Sequence, residues 1–121
     1  MANGEITIET LTDRLIAFRD ARDWRQFHSL KDLIVSLNLE ASELLELTQW
    51  KGEKDFDALA EGEAVKARIS EECADVLLYL LLIGERCGID LLAAASKKID
   101  RNDEKYPVEK SRGNARKYTE L

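Results

Sequence analysis

One proline, one histidine and two cysteines in 121 residues leave few of the usual devices for breaking helices, binding soft metals or stapling a small fold. With only Pro107 to interrupt it, the chain is free to run in long helices. Cys73 and Cys87 lie beside apolar helical sequence, which suits reduced, buried thiols better than a disulfide framework. His28 stands outside any Glu-x-x-His pair, so the chain does not offer the ligand set of a bundle di-iron centre. The longest apolar run, Val76 to Ile83, is far short of the roughly 20 residues that a membrane span needs. With no secretory leader in the sequence, the expectation is a soluble, cytoplasmic protein without a membrane partner.

Basic residues are also in the minority. Eighteen Lys and Arg oppose 24 Asp and Glu, a net charge of −6, which argues against a duplex nucleic-acid binder built on a broad basic surface. The charge is uneven: residues 97–117 hold eight basic and four acidic side chains, whereas residues 1–96 hold ten basic and nineteen acidic ones. Such a basic C-terminal segment either folds back on the acidic body or helps it to hold cations and phosphates together. At 45% hydrophobic and 35% charged, the composition is that of one globular domain over residues 1–121, too short for two independent cores.

Periodicity predicts an all-α protomer of four helices. The first starts at a cap on Thr7 or Thr10 and runs to about Arg22 with a Leu11, Leu15, Phe18 stripe. The second runs from about Ser29 to Thr48, with Leu30, Leu33, Ile34, Leu37, Ala41 and Leu44 at three- and four-residue steps. Residues 49–63 read as a loop with at most a helical turn near Phe56 to Leu59. The third helix spans about Ala64 to Arg86 and stops at Gly88, and Asp90 caps a fourth towards Lys105. Residues 107–121 read as a polar, extended tail. The third helix is apolar on every side over Val76 to Ile83 and must be covered all round, which predicts a helical-bundle homo-oligomer.

Four carboxylates sit awkwardly in this scheme. On a helical wheel centred on Leu37, Glu40 falls inside the apolar arc of the second helix and Glu43 at its edge. Glu72 and Asp75 repeat the three-residue spacing in the third helix, just before the apolar run, and Tyr79 follows Asp75 by one turn on the same side. For a single pair the plain alternative is a solvated face. Two pairs in the most apolar helices argue otherwise, since carboxylates gathered in a core either protonate or bind cations. Oxygen ligands without a His or Cys cluster point to Mg²⁺, with Mn²⁺ as a substitute, and helix-bound Mg²⁺ completes its shell with water and substrate phosphates.

Other residues fit phosphate chemistry. Lys98 and Asn102 are i,i+4 neighbours on the fourth helix and can meet one ligand, although Lys98 taken alone reads first as an exposed solubilising lysine. Trp24 and Trp50 flank the acidic helix; each can simply close the core, or the two can stack on a base. Arg68 is expected to pair with Glu72 at i,i+4, and Glu46 and Glu71 are supporting residues.

In order along the chain stand Arg22-Asp23-Trp24-x-Gln26-Phe27-His28, Glu40-x-x-Glu43-Leu44-x-Glu46 with Gln49-Trp50, and Glu71-Glu72-x-x-Asp75-Val76-Leu77-x-Tyr79. They are followed by Lys98-x-Asp100-x-Asn102, Tyr106-Pro107 and Arg116-Lys117-Tyr118-Thr119-Glu120-Leu121. This set resembles the all-α nucleoside triphosphate pyrophosphohydrolases of the MazG-like superfamily and, within it, the dCTP pyrophosphatases. The resemblance implies a homotetramer that splits a nucleoside triphosphate, dCTP or a modified dCTP first, into monophosphate and pyrophosphate with Mg²⁺. It implies that Glu40, Glu43, Glu72 and Asp75 hold metal, with Glu43 and Glu72 as the catalytic pair. Tyr79, Lys98 and Asn102 would bind phosphates and sugar, and Trp24 and Trp50 would line the base pocket, with His28 also on the substrate. Where the dCTP enzymes have a histidine in the first helix that reaches the base, this chain has Leu15, which weakens the basis for strict cytosine selectivity. Related chemistry on dUTP or phosphoribosyl-ATP, and a helical interaction module without catalysis, are the alternatives.

Overall fold

A computed structural model describes residues 4–121. Among the described residues there is no strand, and six α-helices account for most of the chain: α1 (Ile8–Ala21), α2 (Leu30–Glu46), α3 (Glu53–Ala60), α4 (Glu63–Cys87), α5 (Leu91–Lys105) and α6 (Val108–Ser111). Short 3₁₀ turns occupy Arg25–Phe27 and Tyr118–Glu120. Packing divides the chain into two units, the first ending at Gly88 and the second running Ile89–Leu121.

Most helix ends are where their sequence signals put them. Thr7 caps α1 in a reciprocal box with Thr10, its hydroxyl accepting the Thr10 N–H at 3.1 Å. Ser29 caps α2 through the Asp32 N–H, and Asp90 caps α5 through the Ala93 N–H. Gly88 ends α4 at φ 65°, a left-handed position that glycine takes without a Cβ clash.

Four expectations need correction. The 49–63 loop contains α3, whose short stripe of Phe56 and Ala60 packs on α4; Gly52 and Gly62 sit at the N-caps of α3 and α4 and do not interrupt a helix. The tail is folded instead of extended: α6 follows Pro107, and Tyr118 packs edge-on against Tyr106 at 6.1 Å with the Lys105 ammonium 4.8 Å from its ring. Six helices therefore stand where periodicity gave four. Cys73 and Cys87 are exposed, because they lie on sides of α4 that this chain does not cover.

In the first unit α4 is the central element, packed mainly on α2 and also on α1 and α3. Among the described residues Leu33 of α2, Leu47 just beyond it, and Leu81 and Leu82 of α4 are the buried large apolar side chains. Each contributes about 1.5–3 kcal/mol by leaving water. The remainder of the apolar run stays open on one side: Leu77 and Leu80 are more than a third exposed, as are Ile34, Val35, Leu39 and Leu45 on α2. Scattered exposed leucines are ordinary, but rows of them on two adjacent helices mark a surface built for cover.

No helix among the described residues is long and apolar enough to cross a membrane. A second copy of the chain is the expected cover for the open rows. The folded protein should therefore elute well above 13.8 kDa, and its Tm should rise with protein concentration. A stable monomer at micromolar concentration would contradict this.

Candidate active site

Packing of α2 on α4 brings the sequence-predicted carboxylates together. Oxygens of Glu40 and Glu43 from α2 and Glu72 from α4 all lie within 4.8 Å of one another. Asp75, one turn further along α4, is outside that group of three, yet its charge acts on both Glu40 and Glu72. The i,i+3 spacing explains the grouping: it sets two acids on one face of each helix, and the faces meet where the helices pack.

The cluster is electrostatically unsettled. Glu40 and Glu72 are half-buried, and Oε2 of each is shielded from solvent with no hydrogen-bond partner. Loss of hydration, then the adjoining Glu43 and the charges of Asp75 and Glu72, push the Glu40 carboxyl from its ordinary 4.5 up to about 7. Glu72 is raised for the same leading reason, followed by Glu43, Asp75 and Glu71. The expected Arg68–Glu72 pair does not form: among the described residues the ion pairs are those of Arg19 with Asp20 and Glu85. Among the described residues no Lys or Arg forms an ion pair with the cluster. Three converging carboxylates, two of which carry an unpartnered oxygen, are a donor set that fits a divalent cation.

Beside the carboxylates is a cavity of about 160 Å³ in the same unit. Its wall includes Trp24, His28, Asp75 and Tyr79, which the sequence had singled out, together with Leu15 and Phe18 of α1 and Leu78 and Leu82 of α4. Asp75 thus joins the acidic cluster to a largely apolar recess. Trp24 stands edge-on to Phe18, with ring centroids 5.7 Å apart. His28 is half-buried, and its Nδ1 is shielded and unpartnered.

Trp50 is 94% exposed at φ 65° and does not wall the cavity. Lys98 and Asn102 lie exposed on α5, in the second unit.

The sequence reading missed Arg19, which is 5% exposed and lines the cavity. Its guanidinium donates to Asp20 at 2.9 Å and to Glu85 of α4 at 3.3 Å, tying α1 to α4. The signal was present: Arg19 follows Leu15 by one turn and so falls on the apolar stripe of α1.

Comparison with known proteins is concordant. The MazG-like family model matches residues 35–121. dCTP pyrophosphatase 1 of Rattus norvegicus is 41% identical over 117 residues, covering 97% of this chain and 69% of the rat protein. The Homo sapiens dCTP pyrophosphatase 1 is 38% identical over the same coverage. A crystal structure of a pyrophosphatase from Archaeoglobus fulgidus superposes with a TM-score of 0.79 at 36% identity, over 88% of this chain and 98% of that one.

The raised Glu40 sets a pH dependence for the metal-free protein. Its folded value of about 7 exceeds the ordinary 4.5, so between these values the folded state holds a proton that the unfolded state has lost. Stability from this group is full below the unfolded value and is lost as pH rises through about 7. In a chelating buffer the Tm should fall from pH 5 towards pH 8 more steeply for wild type than for Glu40→Gln; parallel profiles would contradict the assignment.

Proposed function

The chain belongs to the MazG-like family, and on that premise we propose that it hydrolyses a pyrimidine deoxynucleoside triphosphate, dCTP or a modified dCTP first, to the monophosphate and pyrophosphate. It is a nucleoside triphosphate pyrophosphohydrolase, as its relatives named dCTP pyrophosphatase 1 and its structural neighbour named a pyrophosphatase support. The observation that carries the finer reading is the adjacency of three converging carboxylates and an apolar, Trp24-walled cavity, joined through Asp75. That arrangement suits a ligand with an anionic end that needs cations and a flat aromatic end that leaves water.

Glu40, Glu43, Glu72 and Asp75 would hold Mg²⁺, which Mn²⁺ can replace. When bound, the cation neutralises a polyphosphate and lowers the pKa of a coordinated water. Glu43, the exposed member of the three, is the group we assign to accept a proton from the attacking water at a carboxylate oxygen, with Glu72 as the second catalytic carboxylate. In-line attack at the α-phosphorus then releases pyrophosphate. Tyr79, which lines the cavity one turn beyond Asp75, is the residue we assign to hydrogen-bond the sugar or phosphates. Lys98 and Asn102 of α5 add a cation and a carboxamide for the phosphates. Trp24 offers a stacking surface and His28 a polar contact for the base. Trp50, outside the cavity in the single chain, serves the base pocket only in an assembly, for which we propose a homotetramer acting in the cytoplasm.

Stacking tolerates every base, so selectivity needs hydrogen-bonding groups that a wrong base leaves unpaired. Leu15 brings none to the cavity wall. In a screen of the four dNTPs with pyrophosphate detection, dCTP should give the highest kcat/KM, with a margin over dUTP or dTTP well under ~10⁴-fold and widened by Leu15→His. In the same assay Asp75→Ala and Glu43→Ala should lose at least ~10²-fold in kcat with helical circular dichroism unchanged, since even outer-shell partners of a metal cost ~10–100-fold. Full activity in either variant, or no pyrophosphate from any dNTP, would overturn the reading.

A further inference from the structure

The turn that sets Trp24 at the cavity wall is built from a residue that an ordinary helix stop avoids. Past the end of α1 the Asp23 N–H donates to the Asp20 carbonyl at 3.0 Å and the Trp24 N–H to the Arg19 carbonyl at 3.1 Å, with Asp23 at φ 53°. This is the Schellman closure, and the apolar contact that accompanies it is Phe18 against Trp24. Glycine takes the left-handed position most easily, and the chain uses Gly88 for the end of α4. At Asp23 a side chain is kept there despite the steric penalty.

What the side chain does is visible in its partner. Gln26 Nε2 donates to the Asp23 carbonyl and to Asp23 Oδ2, each at 3.0 Å. Glycine would keep the first bond and lose the second. The Arg22 guanidinium stacks 3.7 Å from the Phe18 ring centroid and donates to the Phe18 carbonyl at 3.0 Å, bracing the ring that Trp24 meets. Trp24 itself is 44% exposed, so packing alone holds the indole only in part.

We propose that Asp23 and Gln26 are positioning residues for the nucleobase: the Gln26 carboxamide locks the left-handed turn at Asp23, which holds Trp24 in its stacking orientation before the base arrives. Neither side chain lines the cavity or belongs to the carboxylate cluster, so the lock acts on affinity through Trp24 and not on the chemical step. The proposal rests on the pyrophosphohydrolase reading, because Trp24 is taken as the stacking surface.

The test separates a base-positioning lock from a plain helix stop. If Asp23 only ends α1, Asp23→Gly should keep the wild-type KM, kcat and dCMP affinity, with Tm unchanged or raised. The lock predicts that Asp23→Gly keeps or raises Tm while KM for dCTP rises ~10-fold, with kcat within about twofold. Gln26→Leu should show the same split between KM and kcat, and Asp23→Asn, which tolerates the left-handed turn and keeps an acceptor, should restore the wild-type KM. The dissociation constant of dCMP, measured by calorimetry, should follow KM in each variant. Unchanged KM and dCMP affinity in Asp23→Gly and Gln26→Leu, in a wild type that turns over dCTP, would overturn the lock alone. A wild type that neither hydrolyses dCTP nor binds dCMP would overturn the reading beneath it as well.

Discussion

Carboxylates repel, and the packing of α2 on α4 holds Glu40, Glu43 and Glu72 together nonetheless. The apolar contacts of Leu33, Leu81 and Leu82 do not depend on the charge state of the acids, so the helices stay docked and the conflict has to be resolved at the carboxylates themselves. A retained proton is one resolution, and burial beside the neighbouring acids raises the Glu40 and Glu72 carboxyls in that direction. A divalent cation is the other. Among the described residues no Arg or Lys, Arg68 included, forms an ion pair with the cluster, so that role is left to a divalent cation. α4 serves both parts of the site, carrying Glu72 in the cluster and Asp75 and Tyr79 on the cavity wall.

The cavity depends on a second tie. Arg19, buried and bound to both Asp20 and Glu85, links α1 to α4 through ion pairs, and the end of α1 then presents Phe18 and Trp24 to the recess. Only the Arg19 end of these pairs is buried, Asp20 and Glu85 keeping contact with water, so the link is set by the need of a buried guanidinium for partners. Arg19 also accepts the Trp24 N–H at its own carbonyl, so one residue both anchors α1 and closes the turn that aims the indole.

How much of this the sequence made legible followed from the range of each cause. Thr7, Ser29, Gly88 and Asp90 mark helix ends by local hydrogen bonding or local backbone freedom, and their positions were readable without tertiary knowledge. Glu40 and Glu72 were legible as anomalies, being acids on apolar faces, and the structure brings them and Glu43 together. α3 was not legible, because eight residues with four charges give a weak stripe that becomes a helix only by packing on α4. The fold of residues 107–121 depends on Tyr118 meeting Tyr106, a contact that no periodicity announces. Trp50 was nominated beside Trp24 because the two flank the acidic helix and by the family resemblance, and Trp24 alone lines the cavity of the single chain.

The central claim is that the α2–α4 carboxylates resolve their repulsion by exchanging a proton for a divalent cation. Its most direct measurement is calorimetric titration of the nucleotide-free protein with Mn²⁺ near pH 6.5, in two buffers of different ionisation enthalpy, for wild type and Glu40→Gln. With the Glu40 carboxyl raised to about 7, the account predicts that Mn²⁺ binding to wild type releases protons, and that Glu40→Gln releases fewer and binds more weakly. Equal affinity in both proteins, with no proton released from either, would contradict it.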